Sequence, residues 1–303
     1  MESTHPQMAG DSRQYSLLGK AVALSAADAG MPWLDRLDLL LAGFRAANPA
    51  GSPVAEIAVR LGLDGALWQI AQDDTLTPAY SDNALLREVE RRAFAEAAKH
   101  APLSLVLHAG AVVREGVALL LPAASGAGKS TLTLALARHG WLPLTDDICP
   151  LARAGDAWVA LPCPRCCHLS IAAVEVLQAA GIALEGPVAD LAGYYRPPKW
   201  STPSRVRAIV VPRFAPGAPP RAARLTQAEC LAALISASFD QVSQPGSARR
   251  AAARHLAARA PGFSLTYASV DAALHLVDTV ADGLTHQAAA DAGVASGRVA
   301  YPA

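Results

Sequence analysis

Seven consecutive residues, Ser125-Gly126-Ala127-Gly128-Lys129-Ser130-Thr131, and two adjacent carboxylates, Asp146 and Asp147, carry the chemistry that this chain offers. Glycines let backbone N–H groups curl around phosphate oxygens with no Cβ in the way. Lys129 is then placed for β- and γ-phosphates, and Ser130 for a hydroxyl bond to Mg²⁺. One carboxylate can hold the same ion, directly or through water, while a second takes a proton from an attacking hydroxyl. Read together, the residues describe a magnesium-nucleotide site. Ala123 stands where the pattern GxxxxGK[ST] has its first glycine, and the SGAGKST core is intact.

Such residues work only if strand and helix present them at one edge. The apolar run Val117 to Leu121 predicts a strand before the loop, and Thr131 to Arg138 predicts a helix after it. That order lets the helix N-terminus add partial positive charge to the phosphate cradle. Trp141 to Thr145 reads as a short extended segment, so the aspartates are expected at the carboxyl end of a strand neighbouring the loop strand. In open α/β sheets, ligands bind at that edge.

These residues resemble the bacterial HPr kinase/phosphorylases and their relatives, in which a His-containing strand, a GxSGxGKS loop and an Asp-Asp pair recur at this spacing. The match runs through His108, Gly116, Ser125, Gly126, Gly128, Lys129, Ser130, Gly140, Asp146 and Asp147. The resemblance implies that Asp146 takes the proton from an acceptor serine, that Ser130 and Asp147 hold the metal, and that His108 lies close to the acceptor. The two aspartates can exchange roles. On residues alone, a histidine in LVLHAGAVV is more often a packed core side chain. Thr131 replaces the acidic residue that follows the loop serine in HPr kinases proper, and the downstream signature of phosphorolysis is missing. The chain is more similar to divergent HPr-kinase-related proteins, including those that phosphorylate lasso-peptide precursors.

Composition sets outer limits. Lys plus Arg and Asp plus Glu number 26 each in 303 residues, so charge gives no reason to expect nucleic acid or an anionic membrane as partner. No apolar run approaches bilayer length and the first residues lack a targeting pattern, so a cytoplasmic address is expected. Five cysteines in an ATP-binding chain point to reduced thiols. Within Cys163-Pro164-Arg165-Cys166-Cys167-His168, zinc ligation is the minor reading, because no second CxxC completes a tetrahedral site. Arg165 is a candidate for stabilising charge on a transferring phosphoryl group, and a surface ion pair explains it equally well.

The expected fold is α/β, with a P-loop kinase core of the HPr kinase C-terminal type over residues 81–285, a small α/β accessory domain over 1–80 and a flexible tail over 286–303. Ser81-Asp82-Asn83 signals a helix start before Ala84 to His100. The proline-rich stretch from Gly193 to Pro203, with Tyr194, Tyr195, Arg196, Lys199 and Trp200, and Arg205 just beyond, reads as a loop facing phosphates or an acidic peptide. The expected function is ATP- and Mg²⁺-dependent phosphoryl transfer to a serine hydroxyl of a peptide or small protein. Alternatives are a nucleotide-gated peptide-binding module and a kinase of a small-molecule hydroxyl. Homo-oligomers are compatible with the resemblance.

Overall fold

The computed structural model describes residues 11–26, 32–45, 52–61, 68–73, 75–79, 81–101, 103–124, 126–188, 193–239 and 246–292. The chain divides into two compact units, with the change between residues 102 and 103.

In the first unit, β1 (Ser12–Leu17), β2 (Lys20–Ala26), β3 (Ala55–Leu61), β4 (Trp68–Gln72) and β5 (Thr75–Ala79) form a sheet in sequence order. The stretch YSLLGKAVAL, which reads as one strand, is instead a hairpin. Leu18 and Gly19 both take positive φ, 51° and 74°, and Leu17 pairs with Lys20 across a two-residue turn. Turns of that kind match the twist of the flanking strands. Helices α1 (Pro32–Leu40) and α2 (Asp82–His100) complete the unit. The Ser81 side chain accepts the Ala84 N–H at 3.2 Å, fixing the start of α2 as the sequence predicts. Leu85, Leu86, Val89, Ala93 and Phe94 are buried, and α2 packs across all five strands. This apolar face is why α2 groups with the first unit, which moves the expected boundary from residue 80 to 102.

The second unit is built on β6 (Leu105–Arg114), β7 (Val117–Pro122), β8 (Leu142–Thr145), β9 (Ile148–Ala154), β10 (Ala157–Ala160), β13 (Ser204–Phe214), β14 (Arg221–Leu225) and β15 (Gly262–Tyr267). Their order is β10-β9-β6-β7-β13-β15-β14, with β8 also pairing β6. β7, β13 and β15 are mutually parallel, and β6 is antiparallel to β7. Helices α3 (Lys129–Arg138), α4 (Ile171–Ala179) and α7 (Val270–Ala292) supply one apolar layer, and α5 (Gln227–Ser236) and α6 (Gly246–Arg259) the other. Alternate residues of β7 serve the two layers: Val117, Leu119 and Leu121 face one, Ala118 and Leu120 the other. Burial on both faces explains why this strand reads as an unbroken apolar run.

Two features position α3. At Gly110 an added Cβ would lie 2.8 Å from Thr133 Oγ1, so only glycine lets the helix approach β6 this closely. At the other end, His139 and Trp141 bond back to Leu136 before β8 begins. Gly116 and Gly140, both at positive φ, make the β6–β7 and α3–β8 turns. The expected loop from Gly193 contains a short strand, β12 (Tyr194–Tyr195), paired with β11 (Cys167–His168). Of the expected tail, residues 286–292 continue α7 as helix, and 293–303 lie outside the described residues. Among the described residues, no helix is long and apolar enough to cross a membrane.

Candidate functional site

β7 ends at Pro122 and α3 begins at Lys129, so six residues join strand to helix. Gly126 and Gly128 take φ of 80° and 86°, values that side-chain-bearing residues adopt only under strain. Gly128 is the left-handed N-cap of α3, and the first-turn N–H groups of that helix have no partner within it. Ala127, Gly128, Ser130 and Thr131 are partly buried, whereas Lys129 is buried. Lys129 Nζ donates to the carbonyls of Ala123 and Ala124 at 2.8 and 3.1 Å, folding the ammonium back over the loop. Burial lowers its pKa, while the charges of Asp147 and Asp146 oppose that fall. Ser125, the first residue of the expected cradle, lies outside the described residues.

Asp146 and Asp147 form a bend between β8 and β9, closed by the Thr145 hydroxyl donating to the Ile148 carbonyl at 2.7 Å. The strand they follow does not neighbour β7, as the sequence suggests; it pairs with β6, which lies between. Both β7 and β8 run antiparallel to β6, so their carboxyl ends still meet the same sheet edge. The N-terminal part of β6 reaches that edge as well. Its residue His108 pairs with Ile148, and Ala109 N–H donates to the Asp147 carbonyl at 3.0 Å. This register brings His108 Nδ1 to 2.8 Å from Asp147 Oδ1. From the far side, Arg165 Nη1 donates to Asp147 Oδ2 at 2.6 Å. Arg165 is held there because its segment runs back along β8, with Cys163 N–H on the Leu144 carbonyl at 2.8 Å.

The two carboxylates are electrostatically unlike. Asp146 is 3 % exposed, and its buried Oδ1 has no hydrogen-bond partner. Burial pushes its carboxyl up to about 6, helped by the charge of Asp147 and opposed by a hydrogen bond from Ser130. Burial also acts to raise Asp147, but His108 and the Arg165 guanidinium outweigh it and hold that carboxyl well below the usual range. Asp147 therefore remains an anion across the physiological range, whereas Asp146 titrates near its lower edge. The carboxylate that touches Ser130 is thus Asp146, whereas the sequence pairs Ser130 with Asp147.

Three further side chains reach the site: Phe239 and Tyr267, which no motif marks, and Cys167, which the sequence offers only as a minor zinc ligand. The ring of Phe239 meets His108 edge-on at 5.9 Å, because residues 237–239 bond alongside β6. Tyr267, at the end of β15, holds its hydroxyl 3.8 Å from where a Cβ on Gly128 would stand. The Cys167 thiol bonds to Asp146 and is pushed well above its usual pKa, mainly by burial. None of the five cysteines forms a disulfide and all are buried. Among the described residues, no three His, Cys, Asp or Glu side chains converge as metal ligands, the Cys163 to His168 cluster included. Arg196 and Lys199 are exposed, and Arg205 stands at the start of β13, away from the glycine loop.

The residues fit a magnesium nucleotide in kind. Lys129 rests on neutral carbonyls that phosphate oxygens can replace, and the orphaned Asp146 oxygen beside Ser130 offers the hard oxygen donors that Mg²⁺ prefers. No protein-family model matches the chain, and no curated protein matches it. Among solved structures, the chain is similar to the Hpr(Ser) kinase/phosphatase from Coxiella burnetii, at 12% identity and a TM-score of 0.34 over 60% of this chain and 97% of that one. Likeness at that level leaves the functional reading to the residues themselves.

Proposed function

We propose that this protein is an ATP- and Mg²⁺-dependent kinase that transfers the γ-phosphoryl group to a serine hydroxyl of a peptide or small protein, a ribosomally made peptide precursor of the lasso type being one such acceptor. The observation that carries the reading is the pair of unlike carboxylates at the sheet edge shared with the glycine loop. In this reading the loop amides and Lys129 bind the triphosphate, and Ser130 with Asp146 hold the metal side. Asp147 receives the acceptor hydroxyl. That assignment exchanges the roles first given to the aspartates, because Asp146 is buried against Ser130 while the Asp147 side chain is 37% exposed. A strongly acidic Asp147 is no obstacle, since phosphoryl transfer depends more on aligning the hydroxyl than on removing its proton early. His108 and Arg165 then act as positioning residues that fix the carboxylate from both sides.

The test is intact mass spectrometry of short peptides encoded beside this gene, after incubation with the protein and Mg-ATP. Addition of one phosphate, lost in Asp147→Asn while magnesium-dependent ATP binding persists, is the expected result. ATP binding with no phosphopeptide overturns peptide phosphorylation, and the same assay with hydroxylated small molecules then decides between a small-molecule kinase and a nucleotide-gated binding module. Loss of magnesium-dependent binding in Asp147→Asn, with retention in Asp146→Asn, reverses the aspartate assignment.

A further inference from the structure

The opposite edge of the same sheet carries a second cluster of charge that the proposed reaction does not use. There, an open cleft of about 470 Å³ is lined by Arg205, Arg207, Arg224 and Arg259. Its floor includes Cys230, Pro261 and Gly262. Strand direction separates it from the glycine loop. Val206 of β13 pairs with Ala118 near the start of β7, and Gly262 begins β15, whose last residue, Tyr267, is the one beside Gly128. At about 3.3 Å per residue, the length of β15 puts roughly 17 Å between the two places.

The cleft has more positive charge than its neighbours cancel. Arg259 pairs with the exposed Asp156 at 3.0 Å. Glu229, the acid of the adjoining helix, is turned onto Thr226 in a capping box, accepting from its N–H at 2.8 Å and its hydroxyl at 2.7 Å. Arg205, Arg207 and Arg224 form no ion pair with any described residue, and the Arg224 guanidinium carbon lies over the Phe263 ring, 4.9 Å from its centroid. A cation–π contact of that kind favours this placement of the guanidinium at the cleft. Arg205 and Arg207 both line the cleft, on either side of the buried Val206, where the pairing of β13 with β7 shifts register before Ala208. Gly262 admits the Cys230 sulfur where a Cβ would stand, at 2.0 Å, which ties α5 tightly to the cleft floor. The chain as a whole is neutral, so this concentration of arginine is a local feature.

Three guanidinium groups with no ion pair among the described residues, around a cavity of small-ligand size, suit an anion with several closely spaced oxyanion groups. We infer that this cleft binds a compact polyanion, a small molecule bearing two or more phosphoryl groups, at a site separate from the glycine loop. The inference stands independently of the kinase reading.

Inorganic tripolyphosphate is the probe, titrated calorimetrically at physiological salt into full-length Lys129→Ala protein, so that the glycine loop does not compete. Binding at one site is expected, weakened at least tenfold by adding Arg205→Gln and Arg207→Gln. Adding Arg153→Gln and Arg250→Gln instead removes equal charge elsewhere on the second unit and is expected to leave affinity unchanged. Equal weakening in both sets, or no binding in the Lys129→Ala parent, overturns the site. Tighter binding of a 20-nucleotide single strand than of tripolyphosphate, lost with the same two arginines, overturns the small-molecule assignment in favour of nucleic acid.

Discussion

Asp146 places an ionisable group where the fold prefers it neutral, and the consequence can be measured. Its folded pKa, about 6, lies above the ordinary value of 3.8. Below about pH 4 both folded and unfolded chains hold the proton and no penalty arises. Between pH 4 and 6 the unfolded chain loses it first, so stability falls, and the full cost of about 3 kcal/mol applies above pH 6. Asp146→Asn is therefore expected to raise Tm at pH 8 and to leave it unchanged at pH 3.5; an equal rise at both values would refute the charge argument. Asp147 has the opposite sign, contributing stability at neutral pH that is lost as pH falls below the ordinary carboxylate range. Arg165→Ala removes its 2.6 Å partner. Since Asp147 is partly solvated, we expect a loss of about 1–2 kcal/mol in denaturant unfolding, together with loss of transfer at unchanged Mg-ATP affinity. Intact transfer would remove Arg165 from the site. The linear motif makes the positions of Gly126, Gly128, Lys129, Ser130 and the aspartates legible in the sequence, because they follow from spacing to the loop, but not which aspartate meets Ser130. Phe239 and Tyr267 are not legible, since strand register and chain return bring them in from distant sequence, and Cys167 is visible only as a thiol, not as a partner of Asp146.

At the scale of elements, the seating of α3 on β6 decides where Lys129 and Ser130 stand. Thr133 Oγ1 is buried without a hydrogen-bond partner and occupies the space that a side chain at Gly110 would need. Gly110→Ala is expected to cost about 1–3 kcal/mol through overpacking. Thr133→Ala in the same chain should restore most of that loss. Failure of the second change to rescue, measured by chemical denaturation, would show that backbone rather than the hydroxyl resists the methyl group. The glycine in LHAGAVV could be seen in the sequence, but its purpose could not, because the atom it makes room for belongs to the next helix. Similarly, the apolar pattern reveals α2 but assigns it to the core over residues 81–285, whereas it packs on the sheet of the first unit. Amphipathic helices show that they need a partner without showing which sheet provides it.

For the whole molecule, every named site residue lies in the second unit, as does the arginine cleft. A chain beginning at Leu103 is therefore expected to keep nucleotide-dependent thermal stabilisation, lost again on Lys129→Ala. Absence of any shift in a truncated chain that still unfolds cooperatively would place part of the nucleotide site in the first unit. Neutral overall charge gives no reason to expect nucleic acid or an anionic membrane, and it leaves any basic patch to be local; composition cannot locate the cleft, because it averages over a surface on which charge is unevenly distributed.

The burial of all six residues of β7 has a consequence for how the chain is made. During synthesis, everything from His108 to Arg165 leaves the ribosome before β13, so the candidate catalytic groups exist while one long edge of β7 still lacks its parallel neighbour. Parallel pairing across such a separation closes slowly. Until it does, VALLLP is an apolar strand with open backbone donors and acceptors, the kind of surface that chaperones bind and that nucleates aggregation. Expression yield should therefore depend more on how fast the segment 204–214 arrives and docks than on the chemistry of the site it supports.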